Sequence, residues 1–101
     1  MDGFEWDEDK RRRNLADHGV DFRLAARIFQ GAVLEAADRR GGYDEPRYRA
    51  LGRVGDDYFV VAYTWRGSNR RLISAWKVGP DGRRRYQALL SRASRAHGRA
   101  R

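Results

Sequence analysis

Lys10, Asn14 and His18 stand at i, i+4 and i+8, a spacing that puts three polar side chains on one face of a helix. Leu15 is the only large apolar residue in that stretch, so such a helix buries little and its polar face is available for chemistry. An imidazole titrates near neutral pH, so His18 can act as a base or an acid. At the end of a helix it can equally serve as a cap matched to the dipole. Lys10 can bind a phosphate, or pair on the surface with Asp7, Glu8 or Asp9. Arg66 and Lys77 fall near the ends of apolar stretches and are candidates to clamp a phosphate, with Arg49, Arg53 and Arg71 as supporting charges. For any one of these arginines a solvated face is the default. Tyr86 has helical spacing with Leu89 and Leu90, so core packing is its default role, although its hydroxyl can reach a sheet surface. Trp65 and Trp76 share strands with basic residues, where an indole either fills core or stacks on a nucleobase.

Other chemistries lack their residues. There is no cysteine, so disulfides and thiolate metal sites are excluded. His18 and His97 are far apart and no carboxylate pair has ligand spacing, so neither a metal nor a cofactor is expected. No glycine-rich loop joins a strand to a helix, and Ser74 has no nearby base.

Charge points to a polyanion. Residues 1–46 hold eight basic and eleven acidic side chains, a net −3, whereas residues 47–101 hold fourteen and three, a net +11. That asymmetry suits RNA or an acidic protein as partner of the second half. Twenty of the 22 basic residues are arginine, the better fork for phosphate oxygens, although a GC-rich genome gives the same bias. At 101 residues, 41 % of them hydrophobic, the chain has enough for one modest core. No run approaches the roughly 18 apolar residues of a membrane span, and the acidic N-terminus has no signal-peptide core, so a cytoplasmic setting is expected.

These side chains need elements to position them. Phe4–Trp6 reads as a short strand or a tucked aromatic lead-in. Asp7 is an N-cap for a helix that runs to about His18, with Gly19 as its stop. Asp21 caps a second helix with Phe22, Ala25, Ala26 and Phe29 as its apolar stripe and Gly31 as its end. Strands follow at 32–37, 47–54, 58–66 and 70–78, the later three joined by turns at Gly55-Asp56-Asp57 and Gly67-Ser68-Asn69. Gly79-Pro80-Asp81-Gly82 breaks the sheet, and a last helix carries Tyr86, Leu89, Leu90 and Ala93. The order predicts an α+β domain over 1–93: an antiparallel sheet of about four strands, two N-terminal helices and one C-terminal helix. The helices are expected on one face, with Arg49 and Arg53 on the other. Residues 94–101 read as a basic, flexible tail.

The pieces together resemble a known family. Phe4-Glu5-Trp6-Asp7, Lys10, Asn14, His18-Gly19-Val20, Phe22, Ala25-Ala26 and Phe29 are similar to the N-terminal signature of BrnT toxins. Gly52-Arg53-Val54, Val60–Thr64, Arg66-Gly67, Arg71, Ile73-Ser74-Ala75, Lys77 and Tyr86 resemble its second half. The family pattern carries Arg where this chain has Trp76, Glu where it has Gly82, and Asp-Pro at Gln30-Gly31. The resemblance implies a RelE-like fold and metal-independent RNA cleavage that arrests translation and growth. It also implies a BrnA-type, ribbon-helix-helix antitoxin in a two-plus-two heterotetramer, which alone would contact operator DNA. On that reading His18 and Lys10 supply proton transfer and charge. Arg66, Lys77 and Tyr86 complete the catalytic set, and Arg49, Arg53, Arg71 and Trp76 bind RNA. A second reading is a binding module of the same fold that docks RNA or antitoxin with little cleavage. A DNA-binding domain is disfavoured, because no helix joins a basic face to a helix-turn-helix turn.

Overall fold

The Asp7 carboxylate accepts from the backbone N–H groups of Asp9 and Lys10 and so starts α1 (Glu8–His18). Glu8 and Asp9 place negative charge in its first turn, where the helix dipole favours it. Gly19 ends the helix in the left-handed region at φ 69°, where its N–H returns to the Leu15 carbonyl. Asp21 repeats the device for α2 (Phe22–Ala25), which tightens at once into a 3-10 turn, Ala26–Gln30. Phe22, Ala25 and Ala26 are buried as the stripe predicts. The tighter 3-10 winding then brings Ile28 fully inward and leaves Phe29 half-buried.

The structure, a computed structural model, describes residues 3–39 and 41–99, with the side chains of 3–39 and 41–92. Its sheet has five strands: β1 (Phe4–Trp6), β2 (Leu34–Asp38), β3 (Arg47–Val54), β4 (Asp57–Arg66) and β5 (Asn69–Lys77), in the order β1-β5-β4-β3-β2. The expected four-strand antiparallel meander is present as β2 to β5. Phe4–Trp6 adds a fifth strand and makes the sheet mixed, because it pairs parallel with Arg70–Leu72. The helical connection from β1 crosses the whole sheet to β2, so β1 and β5 meet with the same direction.

Alternation divides the sheet into two faces. Val61, Tyr63, Ala50 and Leu72 form the core with Phe22 and Ile28 on one face. Gly52 of β3 is what lets the 3-10 turn come close: a Cβ there would lie 2.7 Å from Ile28 Cβ and 3.0 Å from Val33 Cγ1.

One expectation is corrected. The helices do not share a face, because α3 (Pro80–Arg99) crosses to the opposite one. Tyr86 packs edge-on against Tyr58 at 5.4 Å, its hydroxyl donates to the Ala32 carbonyl at 2.7 Å, and the Gln87 amide donates to the Tyr58 hydroxyl. Tyr58 is out of phase with Phe59, Val61 and Tyr63, so it marks the second face. The apolar stripe of α3 reveals that the helix packs, but not on which side. Pro80 occupies the first helical position, where its missing N–H costs nothing. The expected basic tail, 94–101, lies outside the residues whose side chains are described.

Candidate functional site

Beyond Trp6, β1 no longer covers the outer edge of β5, and α1 takes its place. Asn14 makes the join. Its amide oxygen accepts from Ala75 N–H at 3.1 Å, and its nitrogen donates to the Ala75 carbonyl at 2.9 Å. The side-chain amide thus offers one donor and one acceptor to an edge residue, as a neighbouring strand would. Its second N–H donates to the Val20 carbonyl at 2.9 Å. Asn14 is buried despite standing on the polar face of α1.

This staple sets α1 against β5 with an open groove of about 270 Å³ between them, lined by Lys10, Arg13, Asn14, Asp17, His18, Ile73 and Ser74. The β5 wall depends on a bulge. Ala62 pairs with Ser74 but Tyr63 with Leu72, so Ile73 is an extra residue. Such a bulge bends the strand and re-aims the neighbouring side chains.

The groove carries net positive charge. Glu8 pairs with Arg11, Asp9 with Arg12, and Asp7 is used as a cap. The acidic first turn is therefore committed elsewhere, and among the described residues neither Lys10 nor Arg13 has a carboxylate partner. Lys10 and His18 are both exposed, with Asp17 as the groove's one carboxylate. Two cations, an imidazole and a carboxylate on one wall can hold a phosphodiester and move a proton to or from it.

The structure brings Lys10 and His18 together and leaves the other sequence candidates elsewhere. Arg66 pairs in register with Asn69 at the β4–β5 turn, whereas Lys77 lies opposite Phe59 at the far end of the same hairpin and pairs with Asp57 at 3.0 Å. The two cannot clamp one phosphate, since antiparallel strands put the ends of a hairpin a strand length apart. Tyr86 is only 6 % exposed and its hydroxyl is committed to Ala32, so it lies outside the groove. Arg71 pairs with Glu5 at 2.7 Å. That bond, with a second from Asn69, holds the Glu5 carboxyl below its usual range. Arg53 and Gln87 face the Tyr58 hydroxyl, and Gln87 first, then Arg53, draw it below its ordinary value. Trp76 is half-buried opposite Val60, and Arg49 lies with Leu51 on the same second face. Gly82 lies in the first turn of α3 near Val78, also away from the α1–β5 groove.

Arg13, Asp17 and Ile73 are the groove residues that sequence reasoning missed. For Arg13 and Asp17 a signal existed, because 10, 13, 14, 17 and 18 lie on one helical face. For Ile73 none did, because the bulge is a property of strand pairing.

A family model described as a ribonuclease toxin, BrnT, of type II toxin-antitoxin system matches residues 6–81. The chain belongs to the BrnT family. It is therefore a ribonuclease toxin of a type II toxin-antitoxin system, and an antitoxin is its partner. The BrnT match contains every residue of the α1–β5 groove and stops in the first turn of α3. Among curated proteins none matches the chain. Among the described residues no helix is long and apolar enough to cross a membrane.

Proposed function

We propose that the α1–β5 groove is where this toxin cleaves RNA, with side chains rather than a metal ion supplying the chemistry. The observation that carries the reading is the convergence of Lys10, Arg13 and His18 on one groove, with neither Lys10 nor Arg13 paired to a carboxylate among the described residues. In the proposed reaction His18 takes the 2′-hydroxyl proton and the 2′-oxygen attacks phosphorus. The Lys10 ammonium and the Arg13 guanidinium balance the extra negative charge on the pentacovalent phosphate. The 5′-oxygen leaves with a proton from Lys10 or solvent, which gives a 2′,3′-cyclic phosphate and a 5′-hydroxyl. Arg53 and Trp76, which do not line the groove beneath α3, are proposed to guide the rest of the RNA through charge and stacking. A RelE-like assignment of the fold, a cytoplasmic location and a ribbon-helix-helix antitoxin of the BrnA type in a two-plus-two complex belong to the same proposal.

The test is cleavage of RNA by the purified chain in EDTA, beside His18→Ala and Lys10→Ala. Both side chains are exposed, so both variants should keep the parent's melting temperature. The expected loss is about 10²- to 10⁴-fold for His18→Ala, the usual range for general acid–base catalysis. For Lys10→Ala it is about 10²-fold, that of an electrostatic donor. Full activity in both variants would move the chemistry out of the groove. A folded parent that binds RNA without cutting it would favour the binding-module reading, with Trp76 in place of a cation as the residue to revert first.

A further inference from the structure

On the sheet face away from α1, α3 does not close fully onto the strands. A groove of about 620 Å³ remains, with Leu34, Leu51 and Val60 on its sheet wall and Leu89 on its helix wall. Leu89 is 38 % exposed although it belongs to the apolar stripe of α3, so the stripe is only partly used by the fold itself. Tyr86 anchors the helix one turn earlier, which holds the groove open rather than collapsed. Two cations border it, Arg49 from β3 and Arg85 from α3. Among the described residues neither has a carboxylate partner, whereas Arg47, Arg70 and Arg71 on the same sheet are each paired. Glu35, which also borders the groove, is committed to Arg70 and to the Tyr63 hydroxyl.

An apolar floor between two unmatched guanidinium groups has a definite complement. It fits a protein segment whose apolar side chains repeat along one face and whose flanks carry carboxylates. RNA fits it less well, because the floor is aliphatic and offers a base no aromatic plane to stack on. We propose that this groove is the docking site for an acidic, amphipathic segment of the antitoxin. The proposal rests on the antitoxin partnership of the family and not on the location of the cleavage site. Two further observations agree with it. The helix wall, with Arg85 and Leu89, lies beyond the residues shared with the family model, where pair-specific recognition can differ without altering the toxin's groove chemistry. The sheet wall runs over β2, β3 and β4 on the face that α3 covers, whereas the α1–β5 groove is built at the outer edge of β5 by α1, so the two grooves share no lining residue. A segment anchored there holds the antitoxin without occupying the α1–β5 groove, and inhibition then requires another part of the antitoxin or a change in α1.

The test is the affinity of the cognate antitoxin for Leu89→Glu and Arg85→Glu toxins, with Arg12→Glu as a control for charge on the opposite side of the sheet. The expected result is a loss of tenfold or more for each groove variant and less than threefold for Arg12→Glu. RNA cleavage by the free Leu89→Glu and Arg85→Glu toxins should be unchanged. Both positions are exposed, and unchanged circular dichroism and melting will show that the fold is intact. Antitoxin affinity that survives both substitutions overturns the proposal. So does Arg85→Glu weakening RNA binding while antitoxin binding stands, which would make the groove an RNA surface. Loss of RNA cleavage in His18→Ala has no bearing on this result, so failure of the cleavage site and failure of the docking site are separable.

Discussion

Asn14 shows how a polar residue on an exposed-looking helix face can be structural. Its amide satisfies an edge N–H, an edge C=O and the Val20 carbonyl, three buried groups on two other segments. An unmade buried hydrogen bond costs about 1–3 kcal/mol. Asn14→Ala is therefore expected to destabilise the fold by about 3 kcal/mol, read as a lowered denaturant midpoint at unchanged slope. Asn14→Asp removes both donors and buries a charge, so it should be no better. Its neighbours at i−4 and i+4, Lys10 and His18, share its spacing and none of its burial, and their substitution should leave the midpoint where it is. Destabilisation and loss of cleavage should thus separate along one helical face, and a His18→Ala variant that unfolds would count against the division.

At the scale of elements, the first helix and the 3-10 turn are held by different means. α1 has few apolar contacts to offer and is fixed by its caps and by Asn14. The 3-10 turn is fixed by fit, because Ile28 rests where β3 has no side chain at Gly52. A methyl group at 52 would meet Ile28 Cβ at 2.7 Å, and neither the branch point of Ile28 nor the strand backbone can yield cheaply. Overpacking of this kind costs about 1–3 kcal/mol, the loss expected for Gly52→Ala in chemical denaturation. Ile28→Ala combined with Gly52→Ala should recover part of that loss, since the obstruction is removed. Simple addition of the two single losses would show that the contact is not the cause. β1 depends on charge as well as on backbone pairing: Glu5 accepts from Arg71 and Asn69, and the Arg70 backbone N–H donates to the Gly3 carbonyl at 2.8 Å.

For the whole molecule, charge distribution sets how stability responds to acid. Glu5, Glu8 and Glu45 are each held below the usual carboxylate value of 4.5: Glu5 by Arg71, Glu8 by Arg11, and Glu45 by its own backbone N–H and then Arg47. A carboxylate depressed in the folded state binds protons more readily when unfolded. Its stabilisation is then complete above the unfolded value and is lost as pH falls through the folded one. The melting temperature should be flat from pH 7 to about 5 on this account and fall below about 4.5, where a net charge already at +8 also rises. Glu5→Gln should shallow that fall and lower the plateau slightly, because the pair is accessible to solvent and screened by salt. A melting temperature that rises on acidification would contradict the assignment of these pairs. Across the sheet, Arg70 ties β5 to β2 through Glu35 and lies over the rings of Phe29 and Trp65 at 4.0 and 4.6 Å. This knot stands at the same end of the hairpin as Arg66, since Arg70 pairs with Trp65 and Asn69 with Arg66.

What could be read in the sequence was local. Asp7 and Gly19 bound α1 because a capping carboxylate and a left-handed glycine act on their own backbone neighbours. The turns at Gly55 and Gly67 set the meander for the same reason, and the shared face of Lys10 and His18 follows from helical geometry alone. What tertiary structure decided was every relation between distant segments. It paired β1 parallel to β5, sent α3 to the opposite face, and separated Arg66 from Lys77. It also gave Asn14 to Ala75 and Tyr86 to Ala32, and turned Ile73 into a groove wall through a bulge. A helix or strand pattern states which side of an element is apolar. It does not state which surface covers that side, because burial free energy depends on the area removed from water and carries no direction.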